Sequence, residues 1–262
     1  METKPTVLIT GASSGIGAVY ADRFAERGHD LVLVARDATR LNALASRLSA
    51  EHTVKVDVLV ADLTRPADLV AVEARLKEDS RIGALINNAG AAAHGGFLDQ
   101  TPDDVGALVS LNVTALARLA NAVAPRFAAA GGGAIVNIGS VVGFAPELGM
   151  GVYGATKAFV LAFTQGLNHE IGPKGVYVQA VLPAVTRTEM WGRSGRPMNA
   201  LPPAMEVEEL VDAALVGFDR REVVTIPPLP DTGQWAALEA ARQAMLPNFA
   251  QVHAAERYRM AG

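Results

Sequence analysis

Short apolar runs alternate with helical stretches along most of this chain, and a glycine-rich turn joins the first run to the first helix. Together they predict an α/β protein: a doubly wound parallel sheet of about seven strands in a three-layer α/β/α sandwich, one domain over residues 1–262. The opening run is 6–10, and further runs lie at 31–35, 54–60, 84–87, 134–138, 176–182 and 223–226. Each is apolar on both faces, as a strand covered by helices on both sides must be. The first helical pattern, 18–27, follows the glycines, and further ones lie at 38–50, 66–79, 102–130, 153–171 and 206–220. In such a sheet ligands sit at the carboxyl ends of the strands, and Thr10, Arg36, Asp62, Asn88, Ser140 and Pro183 all fall at or just past those ends. Gly131, Gly132 and Gly133 read as a helix-to-strand turn, and no internal repeat or linker is visible.

Composition narrows the function classes. Half of the 262 residues are hydrophobic, ample for a large core. A net charge of −4 and a pI of 5.8, with no basic stripe, argue against a nucleic-acid partner. The absence of cysteine excludes disulfides, thiolate metal sites and cysteine nucleophiles, and no metal site is expected. The first residues lack the pattern of a signal peptide, and no stretch approaches the ~18 consecutive apolar residues of a membrane span. A soluble cytoplasmic protein is expected.

Two local patterns carry chemistry. The run at 6–10 passes through Gly11, Ala12, Ser13, Ser14, Gly15, Ile16 and Gly17 into a helix, which is how a pyrophosphate is held at a helix start. Gly11 suits the tight turn, Gly15 lets backbone approach a ligand, and Gly17 permits close packing of helix on strand. The spacing departs from G-x-G-x-x-G, so the motif alone is weak. Farther on, Tyr153 and Lys157 stand four residues apart and share a helix face, with Ser140 at the end of the run 134–138. A fixed ammonium beside the phenol should favour the phenolate and lower its pKa by roughly 3 units, making it useful for proton transfer near neutral pH. A hydroxyl from Ser140 could hold a carbonyl or alcohol oxygen against it.

With these motifs in this order, the chain resembles the classical short-chain dehydrogenase/reductase family over residues 4–226. The resemblance implies a Rossmann-like fold with Gly11, Ser13, Ser14, Gly15, Ile16 and Gly17 on the cofactor. It also implies Asp62 and Leu63 at the adenine, Asn88 and Gly90 in the Asn-Asn-Ala-Gly segment 87–90, and a catalytic tetrad of Asn112, Ser140, Tyr153 and Lys157. Lys157 would also bind the nicotinamide ribose, and Asn112 would hold a water for proton resupply. Pro183, Thr186 and Thr188 would close on the nicotinamide; Ala184 replaces the family's usual Gly there. The implied activity is reversible reduction of a ketone or aldehyde to an alcohol, with Tyr153 as general acid/base.

Arg36 follows the second strand and would attract the 2′-phosphate of NADP, whereas a carboxylate there would select NAD. NADP(H) is therefore the preferred cofactor, with Asp37 turned outward as a helix N-cap and NAD(H) still possible. Segment 189–205, with Met190, Trp191 and Met198, suits an apolar lid, and 141–152, with Phe144, Leu148 and Met150, an opposite wall, so an apolar small-molecule carbonyl or alcohol substrate is expected. His94 is read as structural. A helical extension at about 231–262 carries Trp235, Leu238, Ala241, Met245 and Leu246 at helical spacing; it would cover the pocket, pack between subunits or cap the core. Small and aromatic residues on 153–171, with helix 102–130, resemble the face through which family members form homodimers or homotetramers. The alternatives are an NAD-dependent alcohol dehydrogenase on the same site, an epimerase or dehydratase relative, and a nucleotide-binding sensor without turnover.

Overall fold

The computed structural model describes residues 4–92, 95–194 and 203–259. The chain divides into two compact units, Met1–Pro227 and Pro228–Gly262. The first holds the expected sheet: β1 (Thr6–Thr10), β2 (Leu31–Ala35), β3 (Val56–Val60), β4 (Ile82–Asn87), β5 (Ala134–Ile138), β6 (Tyr177–Val181) and β7 (Val224–Thr225). All pairings are parallel, in the order β3-β2-β1-β4-β5-β6-β7. The order reverses between β1 and β4, where crossovers leave opposite faces and a crevice opens at the strand ends.

Side chains of successive strand residues point to opposite faces, and the core splits accordingly. Val7, Ile9, Leu33 and Val136 pack with Phe24 of α1 (Gly15–Glu26), Leu41 and Leu48 of α2 (Ala38–His52) and Val211 of α8 (Val207–Asp219). Leu8, Val32, Leu85 and Ile135 pack on the other face with Leu76 of α3 (Pro66–Glu78), Leu119, Val123 and Phe127 of α5 (Leu116–Ala130), and Ile171 of α6 (Gly151–Ile171). Three of the helices start on a local signal. Asp37 caps α2 by accepting from the Arg40 N–H at 3.0 Å, Pro66 opens α3, and Thr101 and Asp104 cap each other at the start of α4 (Pro102–Val109).

The stretch 102–130 is not one regular helix. Between α4 and α5, Ser110–Ala115 is a π-helical segment, an insertion that re-aims one side chain and one with no compositional signature. By length and mean hydropathy (1.4) Pro102–Ala130 could cross a membrane, although sequence reading found no such span; half of its most apolar window is buried inside the fold. Gly131, in the left-handed region at φ 67°, ends α5, so the glycine run is the expected turn.

A chain of buried amides and hydroxyls ties β4, β5 and α6 together. Asn87 Nδ2 donates to Asn137 Oδ1 (3.0 Å), Asn137 Nδ2 to Thr164 Oγ1 (3.0 Å), and Thr164 Oγ1 to the Val160 carbonyl (2.7 Å).

The unit Pro228–Gly262 contains α9 (Thr232–Gln243), capped by the Asp231 side chain on the Gly233 N–H at 2.8 Å, and 3-10 turns at Leu246–Ala250 and Glu256–Tyr258. The helix stops at Gln243, so Met245 and Leu246, read as part of the helical stripe, lie beyond it.

Replacing Asn137 with Ala should leave Asn87 and Thr164 with one partner fewer in a dry environment and cost ~1–3 kcal/mol. Urea unfolding should show this as a lower midpoint with an unchanged slope.

Candidate active site

Around the reversal point, β1 and β4 are pinned by one hydroxyl and one amide. Thr10 Oγ1 accepts from the Asn88 and Ala89 N–H groups, both at 3.0 Å, and Asn88 Nδ2 donates to the carbonyls of Thr10 (2.9 Å) and Gly11 (3.2 Å). The glycines follow from this crowding. A Cβ on Gly11, whose φ is +65°, would meet Asn88 Nδ2 at 2.8 Å, and one on Gly17 would meet the Gly11 carbonyl oxygen at 2.4 Å. Gly17 therefore has the packing role expected of it, but it does not line the cavity beside it, whereas the resemblance put it on the cofactor.

That cavity, about 850 Å³, runs along the strand ends. Its lining brings together Gly11, Ser13, Ser14, Gly15, Ile16, Arg36, Asp62, Leu63, Asn88, Gly90, Ser140, Tyr153, Lys157, Pro183, Thr186 and Thr188, all anticipated from the sequence. Several of these positions suit a dinucleotide. Ser14, in the N-cap position of α1, makes no side-chain capping bond, so the helix start keeps donors for an anion. Thr188 Oγ1 is buried without a hydrogen-bond partner among the described residues. Arg36 is 70% exposed and lies 3.8 Å from Asp62, a loose pair that gives up little on meeting a phosphate. Asp37 spends its carboxylate on the first turn of α2.

Tyr153 and Lys157 share the buried face of α6 next to Ser140, which β5 delivers. Burial pushes the Tyr153 phenol up to about 12, opposed by hydrogen bonding with Ser140, and pushes the Lys157 ammonium down to about 8. This corrects the expected downward shift of Tyr153. Lys157 Nζ donates to the Ile138 carbonyl at 2.8 Å and lies 5.7 Å from the Tyr153 ring centroid, so in the protein alone desolvation outweighs charge proximity. The Ser140 hydroxyl is placed by the Pro183 carbonyl, to which it donates at 3.2 Å.

Asn112 sits in the π-helical segment and does not line the cavity. Its Oδ1 accepts from the Ala91 N–H (2.9 Å), and its Nδ2 donates to the Ala91 carbonyl (2.9 Å) and Thr156 Oγ1 (3.1 Å), clamping the β4 loop to α6. Thr10 and Thr156 complete this frame; the sequence placed Thr10 at a strand end but gave it no bracing role, and gave Thr156 none, because a threonine that bonds across elements looks like any other.

The wall expected from 141–152 forms in part. Val141, Val142, Leu148 and Met150 line the cavity, whereas Phe144 does not. Opposite, Met190 and the buried Trp191 come from α7 (Glu189–Arg193), with Trp191 Nε1 donating to the Thr186 carbonyl at 2.9 Å. Arg40 at the start of α2 pairs with Glu189 at 2.8 Å, a contact between residues too far apart in sequence to foresee. Met205 pairs with the 185–187 strand segment, through its N–H to Val185 and from the Arg187 N–H to its carbonyl. Met198 and His94 lie outside the described residues. Ala184, in place of glycine, lines the cavity without positive φ, so it carries no backbone strain. Elsewhere Asp22, Glu51 and His52 bring ligand atoms within 4.8 Å of one another, but Arg47 bonds both carboxylates, at 2.9 and 2.6 Å.

A doubly wound parallel sheet with an uncapped glycine turn at its reversal point, and a Ser-Tyr-Lys cluster on the adjoining strand end and helix, defines a class of nucleotide-dependent oxidoreductase. Residues 5–199 match the short chain dehydrogenase family model, and the chain belongs to that family. A short-chain dehydrogenase from Sphingobium yanoikuyae, solved in complex with NADPH, is 69% identical with a TM-score of 0.96, over 97% of this chain and 100% of that one. A bulky-bulky ketone specific alcohol dehydrogenase from Comamonas testosteroni is 61% identical with a TM-score of 0.91, over 97% and 98%. Among curated relatives, sulfoacetaldehyde reductase 2 of Chromohalobacter salexigens is 40% identical over 190 residues, 70% of this chain and 73% of that one. The match to the very-long-chain 3-oxoacyl-CoA reductase of Anas platyrhynchos, 32% identical, spans only 60% of that protein.

Lys157 yields a pH prediction. Its folded pKa, about 8, lies below the ordinary 10.5, so the unfolded chain binds more protons between those values and its burial cost is relieved as pH rises through them. Lys157→Met should therefore stabilise the protein at pH 7 by ~1–3 kcal/mol, with the gain shrinking by about pH 10. Urea unfolding of both proteins at the two pH values measures this.

Proposed function

We propose that this oxidoreductase reduces, reversibly, ketones or aldehydes with apolar substituents using NADP(H). The observation that carries the reading is the convergence of Ser140, Tyr153 and Lys157 in one cavity with the glycine turn and Arg36. The cofactor supplies the hydride chemistry. Tyr153 donates the proton to the substrate oxygen, Ser140 orients that oxygen, and Lys157 stabilises the ionised Tyr153 and holds the ribose. The high pKa of the phenol means that Tyr153 rests protonated, ready to donate. Asn112 acts as a brace, keeping the β4 loop and α6 in register beneath the reaction. Arg36 recognises the 2′-phosphate, and the NADPH complex of the Sphingobium relative supports that choice.

The apolar walls suit a substrate bulky on both sides of its carbonyl, in keeping with the Comamonas enzyme's name. Residues 1–227 act as the catalytic body of a single functional domain, with 189–205 as its lid and 231–262 as its extension, in a soluble, cytoplasmic homodimer or homotetramer. A panel of ketones and aldehydes followed by nicotinamide absorbance tests the reading; no turnover with any carbonyl would refute it.

Tyr153→Phe keeps the ring and removes the proton donor, so turnover should fall at least ~100-fold with cofactor Kd little changed. Arg36→Ala should lose one charge-assisted contact and weaken NADP binding by about 10- to 150-fold while leaving NAD nearly unaffected. Titrations of both cofactors against both proteins measure this, and equal losses would remove Arg36 from the phosphate site.

A further inference from the structure

Arg40 and Glu189 form an ion pair between two elements that the sheet keeps apart. Arg40 stands in the first turn of α2, after β2, and Glu189 opens α7, after β6. In the strand order β3-β2-β1-β4-β5-β6-β7 these two strands are four spacings apart, about 19 Å. The chain after β6 closes that distance by crossing back to the glycine turn, where a Cβ on Gly15 would meet Thr188 Cγ2 at 3.4 Å. From there Glu189 reaches Arg40, whose Nη1 donates to both carboxylate oxygens, at 3.0 and 2.8 Å. Asp37, 3.5 Å away, steadies Arg40 from its own helix start.

The pair spans the crevice from wall to wall. Arg36 and Asp62 line the cavity on the side of β2 and β3, Tyr153 and Lys157 on the side of β5, and Thr188 and Glu189 line it as well. With five residues, α7 is too short to hold its own shape in water. Its place is set by what it touches: Trp191 Nε1 donates to the Thr186 carbonyl on the inside, and Glu189 holds Arg40 on the outside. An ion pair within one helix, such as Arg47 with Glu51, fastens nothing but that helix, whereas this one joins residues 149 positions apart.

We propose that the Arg40–Glu189 ion pair is a strap over the bound dinucleotide, which holds α7 down on the cofactor and opens before the cofactor leaves. The inference rests on NADP(H) occupying this cavity and is independent of which carbonyl is reduced. Arg40 and Glu189 are positioning residues in this role, acting through α7 and not on the reacting atoms. A carboxylate repels phosphate, so on charge alone its removal would tighten cofactor binding; the strap requires the opposite sign.

The test is the release of NADPH from the full-length protein, followed by its fluorescence as excess oxidised cofactor displaces it, with no carbonyl present. Glu189→Gln keeps the side-chain shape and removes the charge, and release should quicken roughly 2- to 5-fold, the range an exposed ion pair supplies. Salt screens an exposed pair, so the ratio of the variant rate to the wild-type rate should fall toward one at about 1 M KCl. Arg40→Gln/Glu189→Gln should release NADPH no faster than Arg40→Gln alone, since the pair acts as a unit. Unchanged release in Glu189→Gln would overturn the proposal, and so would slower release, which would mean that Glu189 keeps Arg40 and the phosphate apart. A ratio that ignores salt, or faster release in the double variant than in Arg40→Gln, would also overturn it, because Glu189 would then act through the packing of α7 and not through the strap.

Discussion

The parallel pairing of β1 with β4 is the constraint on which the rest of the molecule depends. Because consecutive parallel strands need crossovers, and the order reverses at this pair, the loops after the two strands diverge and leave a crevice that no connection crosses. Thr10 and Asn88 close the floor of that crevice with four hydrogen bonds, and their demand for space sets the residues around them. Gly11 and Gly17 have no room for a Cβ because the Asn88 amide and the Gly11 carbonyl already occupy it. The start of α1 is thereby drawn against the strand ends, where its unbonded N–H groups face the cavity.

The same packing makes the Ser-Tyr-Lys cluster electrostatically costly. Lys157 and Tyr153 are both buried, and burial moves each pKa toward its neutral form. A surface Lys would avoid the penalty but could not stand beside the phenol. The protein retains a buried ammonium satisfied by one backbone carbonyl, the Ile138 oxygen. Stability is traded here for placement, which is the usual sign of a working site.

The proposed anchor for the cofactor and the brace around the site differ in solvation. Arg36 is exposed and only loosely paired with Asp62, so it can meet an anion at little cost. Asn112 is the reverse, buried with its amide fully spent on Ala91 and Thr156. A single turn of π-helix makes this possible by advancing the side chain toward the β4 loop.

The strands, most helices and the lining residues were legible in the sequence because each rests on a local rule. Short runs apolar on both faces mark the strands of a covered sheet, Asp37 and Pro66 mark helix starts, and the glycines mark a close approach of backbone. Tyr153 and Lys157 share a face by helix periodicity alone. What tertiary structure decided depends on distance between elements. The sequence pairs a lysine with a tyrosine, but only the packed interior shows that desolvation raises the phenol and that the ammonium turns to Ile138. The π-helical turn at Asn112 has no residue signature, since it is selected by contacts with Ala91 and Thr156, 21 and 44 positions away. Arg40 meets Glu189 across 149 positions, and Phe144, apolar and close in sequence to Leu148, stays off the cavity wall. Local conformational preference is written residue by residue, whereas solvation and long-range contact are properties of the assembled fold.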